Sequence, residues 1–162
     1  MLGFKSPIFV IQQHSATTMH YDFRLEIEGS LKSWSIPKGP STDPKCRRLA
    51  IETEDHVLSY AKFEGVIPKG NYGAGKVLLW DSGTYKNLDN DDIINSYRKG
   101  HLKFWLRGKK LRGGYALIKM KDKKKEWLLV KMKDKEADAG RNPIRTQPES
   151  VKSGKIIEEV DN

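Results

Sequence analysis

Cysteine is almost missing from this chain of 162 residues: Cys46 is the only one. No internal disulfide can form, and a reducing, cytoplasmic setting fits. Long apolar runs are missing too. Nothing approaches the ~20 residues that a membrane helix requires, and the opening MLGFKSPIFV lacks the apolar segment of a secretory signal. Apolar residues make up only 37% of the chain, which favours a single core over two. Internal repeats, heptads and paired zinc-type cysteines are not found. The Gly-Lys-Ser/Thr ending of a nucleotide P-loop is absent, as are the Lys-x-Asp-Gly motif that carries adenylate in ligases and the Asp-x-His motif of metallophosphatases. Acidic charge is in short supply, with 21 Asp plus Glu against 30 Lys plus Arg and a net charge of +9. Such a surface attracts polyanions, of which nucleic acid is the commonest in a cell.

What is present is a succession of short β-type segments. Phe9 to His14, His20 to Leu25, Leu31 to Ile36, Arg48 to Glu54, Val77 to Asp81, Leu102 to Arg107, Tyr115 to Lys121 and Trp127 to Lys133 read as strands. Glu28-Gly29-Ser30, Asp81-Ser82-Gly83-Thr84 and Asp122 to Lys125 read as turns, and Lys38 to Pro44 as a loop. Asp91 to Lys99 is the best helix candidate, with Asp89 or Asn90 to cap it and Gly100 to end it. After about residue 134 the chain turns polar and is expected to cross the surface as an extended tail, with a short helix over Ser153 to Val160. About eight strands with one or two short helices predict an all-β fold, a closed or nearly closed barrel or a sandwich, in a single domain over 1–162.

The segment QQHSATTMHYDFR, Gln12 to Arg24, concentrates the chemistry. On a strand, His20, Asp22 and Arg24 share one face while Tyr21, Phe23 and Leu25 face a core. Pairing with Phe9 to His14 as a hairpin brings His14 and Gln12 beside them. Two imidazoles and a carboxylate suit a divalent metal, and a guanidinium nearby suits a phosphate oxygen. The alternative is the polar side of any half-exposed strand. On Arg48 to Glu54, Leu49, Ile51 and Thr53 take one face and Arg48, Ala50, Glu52 and Glu54 the other. His56 is placed just past the strand end, and Arg48 and His56 form a second pair able to meet an anion.

FEGVIPKGNYGAGKV, Phe63 to Val77, holds four glycines and a proline and reads as a loop that bends into the next strand. From Lys119 to Lys135 there are eight lysines against three acidic residues. The spacing fits a lysine-protected edge strand, with contact to backbone phosphates as the alternative.

In order along the chain, FVIQQHSATTMHYDFRLE, WSIPKGPS, LAIETEDHVLSYAKFEGVIPKGNYGAGKV, WDSGTY and WLLVKMKD resemble the 3′-phosphoesterase family associated with bacterial and archaeal DNA ligase D. The resemblance covers most of residues 8 to 133. It implies a small β-barrel with a metal-dependent site in a groove on its outside. It also implies that DNA or RNA–DNA primer 3′ ends are the substrate. A phosphodiesterase step removes a terminal ribonucleoside, and a phosphomonoesterase step removes the 3′-phosphate left behind.

By the same resemblance His14, His20 and Asp22 are metal ligands, and Arg24 and His56 hold the scissile phosphate. Arg48 and Tyr60 add substrate contacts, with Gln12 and Glu54 as supporting residues. Manganese is the favoured metal, with zinc or cobalt as alternatives, since affinity rises toward the end of the first-row series. The expected setting is the prokaryotic nucleoid, with a repair ligase, a polymerase or an end-binding protein as partner. Members carry an N-terminal segment rich in Arg, Asp and Glu, where this chain has only MLGFKSP before Ile8. With no polymerase or ligase attached, the chain reads as a stand-alone protein or an excised domain. A nucleic-acid-binding barrel without catalysis is the competing reading.

Substrate affinity should depend on salt. Each phosphate contact on duplex DNA is expected to add about −0.9 to the slope of log affinity against log salt. A Michaelis constant that ignores salt would count against a polyanionic substrate.

Overall fold

The computed structural model describes residues 6–161, so most of the MLGFKSP segment lies outside the described residues. Nine strands follow one another: β1 (Ile8–Ser15), β2 (Met19–Ile27), β3 (Ser30–Ile36), β4 (Arg47–Val57), β5 (Gly65–Ile67), β6 (Gly75–Asn87), β7 (His101–Gly108), β8 (Arg112–Lys119) and β9 (Glu126–Lys131). The helices are short: α1 (Ile93–Lys99), α2 (Pro143–Thr146), and 3₁₀ turns at Leu58–Lys62 and Ile157–Glu159. Asp92 precedes α1, so the helix begins later than the Asp91 expected, and Gly100 ends it in the left-handed conformation.

The sheet runs β1-β2-β3-β4-β9-β8-β7-β6, and β6 pairs with β1 to close an eight-stranded antiparallel barrel. The ninth strand, β5, lies outside this ring and pairs with the start of β6. Alternation along β1 and β2 sends Phe9, Ile11, Tyr21, Phe23, Leu25 and Ile27 into the barrel, where Trp34, Trp80, Phe104, Tyr115 and Trp127 complete the core. Aromatic rings fill it edge to face and stacked: Trp34 and Trp127 lie 5.4 Å apart, Phe23 and Phe104 5.8 Å. The opposite side chains, Val10, Gln12, His14, Asp22 and Arg24, point outward. They are not left in water. Val10 joins Leu31, Ala61 and Leu79 in a second apolar cluster under the first 3₁₀ turn.

Two local features set the geometry of that outer wall. Glu28 and Gly29 both have positive φ, and a two-residue turn of this kind matches the twist of the β2–β3 hairpin it joins. It fixes the register that puts Ser35 opposite Asp22 and Ser33 opposite Arg24. In β4 the pairing with β3 slips: Ser33 faces Thr53, whereas Leu31 faces His56. Two steps on β3 match three on β4, so β4 carries a bulge at Glu54-Asp55. Thr53 and His56 thereby share the outer face, and His56 belongs to the strand instead of following it.

Three sequence expectations are corrected here. Asp81 to Thr84 is no hairpin turn but the middle of the thirteen-residue strand β6. The Asp81 carboxylate is buried and accepts backbone N–H groups from Ser82, Lys109, Lys110 and Leu111, which is a turn-like use of Asp applied across strands. The glycine-rich loop contains a strand, β5. The lysine-rich segment is not a sheet edge, since β9 is paired on both sides, by β4 and β8. Lys131 is fully buried against Asp134, Lys121, Lys123, Lys124 and Lys125 stand exposed on the β8–β9 turn, and Lys133 and Lys135 follow β9.

The chain beyond β9 straps back over the barrel. Thr42 Oγ1 donates to the Asp138 and Arg141 carbonyls, Trp80 Nε1 donates to the Gln147 carbonyl, and the Val151 N–H donates to the Leu79 carbonyl. Ile157 and Val160 finish in the core.

Closure brings β6 unusually near its neighbour at Gly83, where a Cβ would stand 2.1 Å from the Arg107 carbonyl oxygen. Gly83→Ala should therefore destabilise the fold by about 2–3 kcal/mol. The measurement is a lower denaturant midpoint at unchanged slope; a wild-type midpoint would mean that β6 and β7 are less tightly drawn together.

Candidate metal and phosphate site

The β1–β2 register places His14 directly opposite His20 and Gln12 opposite Asp22. Candidate ligand atoms of His14, His20 and Asp22 lie within 4.8 Å of one another. They open into a cavity of about 370 Å³ on the barrel wall, lined also by Arg24, Ser35, Thr53, His56, Tyr60, Tyr72 and Gly73. The four residues that the parity reading grouped, His14, His20, Asp22 and Arg24, thus line one cavity. Asp22, His14 and Arg24 are buried, with the first 3₁₀ turn and the glycine-rich loop against them.

The two rings are held by their far nitrogens. His14 Nε2 is 2.8 Å from the Gly73 carbonyl and His20 Nδ1 is 3.2 Å from the Thr18 carbonyl. A carbonyl only accepts, so each of these nitrogens carries the proton. The other two, His14 Nδ1 and His20 Nε2, face the Asp22 carboxylate at 3.4 and 3.2 Å. In neutral rings both would turn a lone pair toward a negative carboxylate. A cation among the three groups relieves that repulsion, and backbone carbonyls behind imidazoles are the usual outer support of histidine ligands. The donor set fits a divalent metal.

Without a cation, protons answer the same charge. Burial depresses the His20 pKa, but Asp22 outweighs it and holds the imidazole above its ordinary value. Burial would raise the Asp22 pKa, yet hydrogen bonds from His14 and His20 and the charge of Arg24 keep its carboxyl well below the usual range.

Arg24 is almost wholly committed to the protein. Nε donates to Gln12 Oε1 at 2.7 Å, Nη1 donates to Ser33 Oγ at 2.8 Å and to His56 Nδ1 at 3.1 Å, and Nη2 is 3.4 Å from Asp22. Of the five guanidinium N–H groups, one is left on Nη2. The fork suggested by sequence reduces to a single available donor, on a rigidly held charge lying 5.1 Å from the Tyr60 ring centre. Gln12 is the brace: its Nε2 donates to the Tyr60 and Phe63 carbonyls at 3.0 and 3.1 Å, tying the 3₁₀ turn to the barrel. His56 Nδ1 lies 3.1 Å from both Arg24 Nη1, which donates, and the Glu54 carbonyl, which accepts, so this nitrogen has a partner for either tautomer. Burial, and after it the Arg24 charge, lower the His56 pKa. Its ring lies 4.9 Å from that of Tyr60.

Two of the sequence candidates lie elsewhere. Arg48 lines a separate cavity with Pro37, Lys38, Arg47 and Leu49, so Arg48 and His56 do not form a pair. Glu54 sits on the β4 bulge; its carbonyl, 3.1 Å from His56 Nδ1, reaches the site, but its carboxylate does not line the cavity. Sequence reading missed Ser35, Thr53, Tyr72 and the Gly73 carbonyl. Ser35 was within reach, because a two-residue turn at Glu28-Gly29 fixes its pairing with Asp22. Thr53 was hidden by the bulge, and the loop residues gave no periodic signal.

The family described as DNA Ligase D 3'-phosphoesterase domain matches residues 12–119. The chain is 47% identical over 153 residues to the multifunctional non-homologous end joining protein LigD of Pseudomonas aeruginosa, a stretch that covers 92% of this chain and 18% of that protein. It is 50% identical over 111 residues to the multifunctional non-homologous end joining DNA repair protein LigD of Mycobacterium tuberculosis, covering 68% and 14%. With the LigD of Mycolicibacterium smegmatis the identity is 45% over 128 residues, covering 74% and 16%. The chain thus spans less than a fifth of the length of these relatives.

Gln12→Leu keeps the volume but strips a partner from Arg24 Nε and from two carbonyls. It should cost about 3 kcal/mol, since buried groups left unpaired lose ~1–3 kcal/mol each. Thermal unfolding measures this, and a loss below about 0.5 kcal/mol, within the scatter of ordinary surface substitutions, would show that Gln12 braces nothing.

Proposed function

The chain belongs to the DNA ligase D 3′-phosphoesterase domain family, and from that premise we propose that it trims the 3′ ends of DNA or of RNA–DNA primers with the help of a divalent cation. It would release a terminal ribonucleoside as a diesterase, remove a 3′-phosphate as a monoesterase, and so leave a 3′-hydroxyl for a repair polymerase or ligase. One observation carries this reading: two imidazole lone pairs and a carboxylate converge beside a buried arginine in an open cavity.

In this reading His14 through Nδ1, His20 through Nε2 and Asp22 through a carboxylate oxygen hold the cation. Once bound, it supplies positive charge that draws electron density from phosphorus and favours attack by water. The mixed nitrogen and oxygen donors and the phosphate oxygens favour manganese, with zinc and cobalt as competitors. Arg24 gives its one free N–H to a non-bridging phosphate oxygen, and its fixed position costs no reorganisation as charge builds there. His56, kept neutral near pH 7, donates from Nε2 to a second oxygen in the tautomer whose Nδ1 accepts from Arg24. Tyr60, Thr53 and Ser35, which line the same cavity, would offer hydroxyls to the sugar or phosphate of the terminal nucleotide. Arg48, in its neighbouring cavity, would act on substrate away from the reacting phosphorus.

The test is a primer ending in one ribonucleotide, incubated with and without manganese, with products resolved by end group. The expected course is a 3′-phosphate followed by a 3′-hydroxyl, only with metal. His14→Ala, His20→Ala and Asp22→Ala should each lower the rate roughly a hundredfold or more, because loss of mere outer-shell partners already costs ~10–100-fold. Full activity in a folded His20→Ala protein removes the metal role. A wild-type protein that binds primer but trims nothing is a binding barrel.

A further inference from the structure

A second cavity, of about 510 Å³, adjoins the first and is lined by Ile51, Glu52, Thr53, Glu54, Tyr72, Lys124 and Lys125. Thr53 and Tyr72 line both. The two cavities are therefore neighbours along one surface track, with Tyr72 at the junction. Tyr72 is 75% exposed, which is uncommon for an aromatic ring beside a polar site. Its ring has a face to offer.

The far side of the track is basic. Lys124 and Lys125 stand exposed on the β8–β9 turn, and neither ammonium group joins an ion pair among the described residues. The turn is pinned to β4, since the Glu52 N–H donates to the Lys125 carbonyl at 2.7 Å. Of the two acids lining the track, Glu52 is taken up within the protein: it accepts from Trp127 Nε1 at 3.1 Å and from the Tyr97 hydroxyl. Glu54 remains, against two free lysines.

An exposed aromatic face followed by fixed cations, continuous with a phosphate-handling cavity, suits an unpaired nucleic-acid strand. Bases stack on the ring without regard to sequence, and phosphates follow the lysines. We propose that the second cavity holds the nucleotides immediately 5′ of the one being removed, with a base stacked on Tyr72 and backbone phosphates on Lys124 and Lys125. This rests on the trimming function proposed above and adds to it a requirement: the last few nucleotides must be single-stranded to reach the site.

The test separates the two. Binding of fluorescent oligonucleotides with unpaired 3′ tails is measured by anisotropy in chelator, where no hydrolysis interferes. Tyr72→Ala should weaken binding about tenfold, the scale of one stacked base, and Tyr72→Phe should restore it. Replacing both lysines, Lys124→Gln with Lys125→Gln, should flatten the log–log salt slope by about 1.4, at ~0.7 for each single-strand contact. The lysine variant should still take up manganese like wild type by calorimetry. Wild-type affinity and slope in folded variants of a protein that trims would overturn the strand path and leave the hydrolase reading intact. Binding that depends on Tyr72 and the lysines, in a protein that trims nothing, would uphold the strand path and overturn the hydrolase. A wild type that binds blunt duplex and tailed ends alike, with no response to Tyr72→Ala, also overturns it.

Discussion

A guanidinium withdrawn from water is the constraint around which this molecule is arranged. Arg24 is 3% exposed, and a buried charge deprived of a partner costs about 3–5 kcal/mol. Its partners come from five elements: Gln12 from β1, Asp22 from its own strand, Ser33 from β3, His56 from β4, and the Tyr60 ring from the 3₁₀ turn. Satisfying one side chain thus ties together the four strands and the 3₁₀ turn that supply these partners beside the cavity. The same contacts spend most of the donors that would otherwise hold substrate. The site keeps a strong, immobile positive charge with little freedom to follow its ligand, which is the economy expected where charge changes during reaction.

The wall outside the barrel is built on a different principle from the interior. Inside, large aromatic and aliphatic side chains interlock and determine the closed shape. Outside, polar groups face the cavity in pairs laid down by strand register, with backbone carbonyls from Thr18 and Gly73 selecting the tautomer of each histidine. A loop rich in glycine supplies one of those carbonyls and also the exposed Tyr72. Ligand orientation and access to the cavity are therefore shared duties of one segment.

Much of this was legible in the chain itself, and for a physical reason. Regular strands obey a period of two, so the alternation from His20 to Leu25 separated the core face from the face that lines the cavity. Departures came where the period breaks. The β4 bulge put Thr53 and His56 on one side, which simple parity forbids. Asp81 and Gly83 look like turn residues, yet they serve a long strand that needs a buried acceptor and a place without a side chain. Lysine spacing suggested a lysine-protected edge because closure of a barrel, a long-range event, leaves no local mark. Arg48 was grouped with His56 because nothing in the sequence distinguishes two cavities on neighbouring faces.

The irregularity at Glu54-Asp55 has an implication for how such a chain can vary. Neither side chain lines the cavity of His14, His20 and Asp22, though Asp55 pairs with Lys32 at 2.9 Å. Removing one of the two residues would restore regular pairing with β3 and leave Thr53 and His56 two positions apart, still on one face. A shorter β4 at this spot would keep the same side chains around the cavity and lose only the extra local twist that a bulge brings.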